Sequence, residues 1–199
     1  MSVDASLPDD QTLAAIVARV ARPLGLPVML PPPPSVVIDA ASLDFVALAA
    51  LIDHTLLRPD ATAAEIDALC EEAMTYGFAA VCVQPTWVAR CVAALRGSKI
   101  RTISVVGFPL GVTLAEVKRA EAGQLLARGV AELDMVLNVG ALKSGDLALV
   151  YADISAVAEV TRAGGAVLKV ILETGYLTDE EKVAACVLAR AAGADFVKT

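Results

Sequence analysis

The sequence contains one histidine, one tryptophan and 4% aromatic residues, and each scarcity narrows what the chain can do. Zinc-dependent aldolases and hydrolases build their metal sites from two or three imidazoles, which His54 alone cannot supply. No acidic cluster calls for a carboxylate-bound magnesium either, so neither a metal nor an organic cofactor is expected. The four cysteines, Cys70, Cys82, Cys91 and Cys186, form no CxxC pair and no zinc-finger spacing, which points to reduced, buried thiols rather than disulfides. Basic residues are outnumbered, 16 against 23 acidic ones, for a formal charge of −7. That balance argues against nucleic acid as a partner while leaving room for a local basic pocket that holds a small anion.

Long apolar runs are missing too. The stretch 45–52 is closed off by Asp44 and Asp53, far short of the roughly 20 residues that span a bilayer. Asp4, Asp9 and Asp10 stand where a signal peptide would be basic. A cytoplasmic protein without a membrane partner is expected. Walker A and GxGxxG signatures are absent, which disfavours an open nucleotide-binding sheet.

What is present is a chain of 199 residues, 57% hydrophobic, enough for one sizeable core. Residues 1–48 read as an extension: a helix over 10–21, a stiff polyproline-like linker at 31–34, and the start of a short helix over 42–50. Residues 49–199 then repeat an apolar strand, a turn, an amphipathic helix and a glycine. Strands are predicted near 51–55, 78–83, 102–107, 132–137, 166–172 and 194–198. Thr62-Ala-Ala-Glu65, Thr113-Leu-Ala-Glu116 and Thr178-Asp-Glu-Glu181 each fit a capping box that starts a helix. Gly77, Gly97, Gly129, Gly164 and Gly193 are placed to end helices in the left-handed region.

Strands apolar on both faces and alternating with helices indicate an α/β fold with a parallel sheet, and here a (β/α)8 TIM barrel. Six strand starts about 29 residues apart leave such a barrel about 50 to 60 residues short of its usual length of roughly 250. The expectation is a barrel truncated after the sixth strand, with weak or no turnover by the 199-residue chain.

Three ionisable side chains lie inside these apolar strands: Asp134, Lys169 and Lys198. Charge buried in a parallel sheet is costly unless paired, and a cost of this kind usually marks function. Strands four to six would be barrel neighbours, so inward side chains could converge. An amine attacks a carbonyl only when neutral, and burial beside a second ammonium lowers its proton affinity. The trio thus reads as a Schiff-base site, with Asp134 relaying protons through water. The same pattern is compatible with a purely structural Asp134–Lys169 ion pair, and by itself does not say which lysine reacts.

The chain closely resembles the deoxyribose-phosphate aldolase family. The resemblance rests on Ile-Asp-His-Thr-Leu-Leu at 52–57, Val-Cys-Val-Gln-Pro at 81–85, Val-Val-Gly-Phe-Pro-Leu-Gly at 105–111 and Glu-Val-Lys at 116–118. It continues through Glu-Leu-Asp-Met-Val-Leu-Asn at 132–138, Leu-Lys-Val-Ile-Leu-Glu-Thr at 168–174 and Ala-Gly-Ala-Asp-Phe-Val-Lys-Thr at 192–199. It implies a metal-free (β/α)8 barrel that reversibly cleaves 2-deoxy-D-ribose 5-phosphate to acetaldehyde and D-glyceraldehyde 3-phosphate, in deoxynucleoside catabolism. It places the Schiff-base lysine at Lys169, the proton-relay aspartate at Asp134 and the lysine that lowers its partner's pKa at Lys198. Asp53 and Thr55 match positions near substrate hydroxyls, and Cys82 a pocket cysteine that could equally be core. Thr174 and Gly175 are placed in part of the phosphate site, or in a plain turn; the rest of that site is expected beyond residue 199. A phosphorylated sugar or aldehyde is the implied partner, and a homodimer the implied assembly. Two other readings stay open: a class I aldolase with a different acceptor aldehyde, or an inactive fragment or homologue acting in assembly.

Overall fold

The computed structural model describes residues 9–28 and 42–199, so the predicted linker at 31–34 lies outside the described residues. Among the described residues six strands form one parallel sheet in chain order: β1 (Asp53–Leu56), β2 (Ala80–Val83), β3 (Arg101–Val106), β4 (Glu132–Val136), β5 (Val167–Ile171) and β6 (Phe196–Lys198). Each starts within two residues of its predicted position. Strict neighbour-to-neighbour order with a helical connection at every step is the topology of a barrel wall, because each right-handed crossover lays its helix on the same face.

The helices are α1 (Asp10–Ala21), α2 (Phe45–Ala49), α3 (Ala63–Tyr76), α4 (Val88–Ala94), α5 (Ala115–Leu126), α6 (Val139–Lys143), α7 (Leu147–Ala163) and α8 (Asp179–Ala192). Thr62 and Thr178 form the predicted capping boxes with Glu65 and Glu181. The box at Thr113 does not form: α5 begins after Leu114, which has no side-chain cap. Here Gly111, at φ +70°, presses its backbone against the Leu137 carbonyl and leaves no room for a Cβ, and Leu114 is still extended. Helical geometry therefore starts too late for Thr113 to cap it. After α7 the left-handed turn falls on Gly165, φ +69°, while Gly164 remains right-handed, one residue later than expected.

Alternation along the strands separates two faces. Val81, Val83, Leu133, Met135, Leu168 and Val170 point outward and pack with Ile66, Leu69, Leu125, Ile154, Val157 and Leu188 of the helices into the main core. Ala80, Cys82, Ile103 and Val105 form a small apolar cluster of the opposite parity. The sheet curls toward that second face. Lys169 on β5 reaches Asp53 on β1, with Nζ 2.6 Å from Oδ2, whereas four strand spacings in a flat sheet would separate those strands by about 19 Å. The six strands therefore make a curled half-barrel with helices outside. α1 buries Ile16, Val17, Val20 and Ala21, and Ile16 and Val20 join the main core beside α8. No described helix is long and apolar enough to cross a membrane.

Lys118 on α5 is fully buried. Its Nζ pairs with Asp153 of α7 at 2.5 Å and donates to the Val136 carbonyl at 3.0 Å, tying two helices to the end of β4. Burial pushes the Asp153 carboxyl up, against the pull of the Lys118 charge. Replacing one partner leaves the other buried and uncompensated. Lys118→Met is expected to cost about 3–5 kcal/mol in urea denaturation, and the double change Lys118→Met/Asp153→Leu to recover most of that loss.

Candidate active site

The concave face carries the charges. In the strand registers, Asp134 sits opposite Lys169 and Ile171 opposite Lys198, so all three predicted catalytic side chains share one parity on three adjacent strands. Asp53 and Thr55 of β1 and Cys82 of β2 belong to the same face. The structure thus brings Asp53, Cys82, Asp134, Lys169 and Lys198 together. The Thr55 hydroxyl turns back to donate to the Asp53 carbonyl at 2.8 Å. Thr174 and Gly175 lie in the 3-10 turn Thr174–Tyr176 just past β5, outside the ion-pair network.

The pairing inside the face differs from the expected one. Lys198 Nζ donates to Asp134 Oδ2 at 2.6 Å. Lys169 Nζ is held by two other carboxylates, Asp53 at 2.6 Å and Glu132 at 2.7 Å. Burial pulls the Lys169 amine down, but hydrogen bonds to Asp53 and Glu132, with the charge of Asp134 added, outweigh it and hold the amine above the ordinary lysine range. The expected lowering by Lys198 is therefore not seen, because Asp134 already pairs with that second ammonium. The structural alternative of an Asp134–Lys169 pair is replaced by Asp134–Lys198.

Glu132 is the residue that sequence reading missed. It stands first in the predicted strand 132–137, yet its side chain is only 3% exposed and its Oε1 also takes an ion pair from Arg101 Nη1 at 2.8 Å. The available signal was spacing: Glu132 precedes Asp134 by two, which puts both carboxylates on one face of β4. Three carboxylates, Asp53, Glu132 and Asp134, thus meet three cations, Lys169, Lys198 and Arg101. The site is close to neutral and can hold its charges without large net repulsion.

Asp134 is fully buried, and its Oδ1 has no hydrogen-bond partner among the described residues. A carboxylate with one oxygen fixed by an ammonium and the other free can take up and return a proton at the unpaired oxygen. The Cys82 thiol lies 3.9 Å from Asp134 Oδ2. Burial, reinforced by the Asp134 charge, pushes that thiol up to about 12, so it stays protonated at neutral pH and is a poor nucleophile. His54 faces the opposite way. Its Nε2 lies 2.7 Å from Glu72 of α3 and its ring packs on Phe78, with centroids 5.0 Å apart.

The DeoC/LacD family aldolase model matches residues 47–199. A deoxyribose-phosphate aldolase of Streptococcus pneumoniae serotype 19F (strain G54) is 56% identical over 148 residues, covering 74% of this chain and 66% of that protein. The deoxyribose-phosphate aldolase of Geobacillus sp. (strain WCH70) is 55% identical over 152 residues, covering 76% and 68%. The chain therefore spans about two thirds of the length of the curated relatives it matches. Among solved structures, a Coccidioides immitis protein provisionally assigned as a deoxyribose-phosphate aldolase superposes with a TM-score of 0.78 at 38% identity, covering 96% of this chain and 72% of that one. The deoxyribose phosphate aldolase of Aeropyrum pernix, described as a unique tetramer, gives 0.73 at 29% identity, covering 96% and 71%.

The ion pairs set a pH behaviour. In the ligand-free protein the Lys169 Cε resonance is expected to titrate above the ordinary lysine value of about 10.4 when followed by NMR. Because the folded value is raised, the stability these pairs contribute is fully present below the unfolded lysine value and lost as pH rises through the folded one. Titration at or below the ordinary value would show that Asp53 and Glu132 do not hold the amine.

Proposed function

The chain belongs to the DeoC/LacD family of aldolases, and from that premise we propose that its site cleaves 2-deoxy-D-ribose 5-phosphate reversibly through a Schiff base on Lys169. The observation that carries this reading is a lysine on the concave face of a parallel sheet, only 13% exposed, beside a second lysine–carboxylate pair that can move protons.

Lys169 first gives a proton to a carboxylate that holds it, of which Asp53 is the more open to solvent. The neutral amine attacks the aldehyde carbon C1 of the open-chain sugar, and the carbonyl oxygen takes a proton to give a carbinolamine. Loss of water then needs a proton on the departing hydroxyl and leaves an iminium. Asp134 relays that proton, and Lys198 stabilises the carboxylate as its charge returns. Asp134 next accepts the proton of the C3 hydroxyl. The C2–C3 bond breaks, its electrons flow to the iminium nitrogen, and glyceraldehyde 3-phosphate leaves an enamine on Lys169. Protonation of C2 and addition of water release acetaldehyde and restore the amine.

In this scheme Lys198 first holds Asp134 in place through their ion pair. It lowers the proton affinity of Lys169 only in the steps where Asp134 carries a proton and no longer screens it. Asp53 and Thr55 meet the sugar hydroxyls, and Cys82 shapes the apolar wall beside Asp134. Thr174 and Gly175, past the C-terminal end of β5, hold part of the phosphate, as is usual for loops at that end of a barrel. A cytoplasmic location and a homodimeric assembly belong to the same proposal.

Acetaldehyde with borohydride is expected to leave an ethyl group on Lys169, located by peptide mass spectrometry; an ethyl group on Lys198 alone would reassign the nucleophile. Asp134→Asn is expected to lower kcat for deoxyribose 5-phosphate cleavage by about 10²–10⁴ while the fold persists in circular dichroism.

A further inference from the structure

Glu132 spans two levels of the barrel interior. It starts β4, opposite Ile103 of β3, and its carboxylate divides between two cations. Oε2 lies 2.7 Å from Lys169 Nζ, and Oε1 lies 2.8 Å from Arg101 Nη1. The glutamate side chain is 3% exposed, whereas the Arg101 side chain is 50% exposed. Arg101 begins β3 at the N-terminal end of the sheet, away from the C-terminal end where barrel enzymes admit substrate. It is therefore a surface cation linked to the reacting amine through one buried carboxylate.

We propose that Glu132 is a positioning residue that aims and charges the Lys169 amine, and that Arg101, from the far end of the barrel, sets how firmly Glu132 holds it. This inference rests on Lys169 being the Schiff-base lysine.

The physics follows from sharing one carboxylate between two cations. Each cation paired with the carboxylate draws on the same negative charge, so the guanidinium weakens the carboxylate's attraction for the ammonium. Without Glu132 the amine keeps Asp53 from β1 as its direct partner, together with the field of Asp134 from β4. The remaining groups near it are the protonated Cys82 thiol of β2 and the Lys198 ammonium of β6, which Asp134 compensates. Loss of one of two direct carboxylates then lets the amine release its proton at lower pH. Without Arg101 the undivided glutamate holds it to higher pH. Two carboxylates also fix the direction of Nζ better than one. Half-exposed Arg101 can be changed at little cost to the core.

The test measures the rate at which acetaldehyde and cyanoborohydride ethylate Lys169 in the full chain, as a function of pH. Glu132→Gln is expected to move the midpoint of that profile down by about one pH unit. Arg101→Gln is expected to move it up, and Arg101→Gln/Glu132→Gln to coincide with Glu132→Gln alone. A purely structural glutamate would lower the rate at every pH and leave the midpoint in place, which would overturn the proposal. A shift from Arg101→Gln that persists in the double variant would overturn the relay through Glu132. If Glu132→Gln fails to fold, the direction of the Arg101→Gln shift still decides the matter. Ethylation of a lysine other than Lys169 in the unaltered protein would instead overturn the functional reading beneath it.

Discussion

Lys169 is an ammonium held by two carboxylates from different strands in the interior of a curled sheet, and most of the structure follows from that arrangement. A charge on the inner face of a curled sheet is stable only if partners meet it there. Glu132 comes from the adjacent strand β4, and Asp53 from β1 across the interior. The second partner is possible only because the sheet curls, so the ion pair and the curvature depend on each other.

The division of labour between the two faces of the sheet makes this tolerable. Val, Leu and Met at outward positions bury against the helices and supply the hydrophobic stabilisation that offsets the polar interior. The inward positions are left to alternate between a small apolar cluster and the charged network. Behind the wall, Lys118 and Glu121 of α5 fasten the strand ends: Lys118 binds the Val136 carbonyl, and Glu121 accepts the Gly107 amide at 2.8 Å. The two strands flanking the site's rim are thus held from outside, and Asp134 is presented from a backbone that has little freedom to drift.

Much of this was legible in the sequence because it is local. Strand parity and helix caps at Thr62 and Thr178 depend on neighbours a few residues away, and the structure agrees with them. The placement of Asp134, Lys169 and Lys198 on one face follows from the same period of two. Which carboxylate pairs with which lysine was not legible, because it depends on curvature and on contacts 116 residues apart, as for Asp53 and Lys169. The missed capping at Thr113 has a similar cause, since the Gly111 backbone contact with Leu137 that delays α5 is tertiary. Glu132 was hidden for a different reason: at the first position of a strand, a buried charge and a solvated one look alike.

The contact between Asp53 and Lys169 is where fold and chemistry meet, and a double-mutant cycle tests it most directly. Urea denaturation of Asp53→Asn, Lys169→Met and the double variant measures the coupling between the two side chains. The account predicts a coupling of at least about 1 kcal/mol, since each single change leaves its partner less compensated on the enclosed face. Strict additivity would contradict it, for it would mean that β1 and β5 do not meet across the interior and that Lys169 is not the centre of the network.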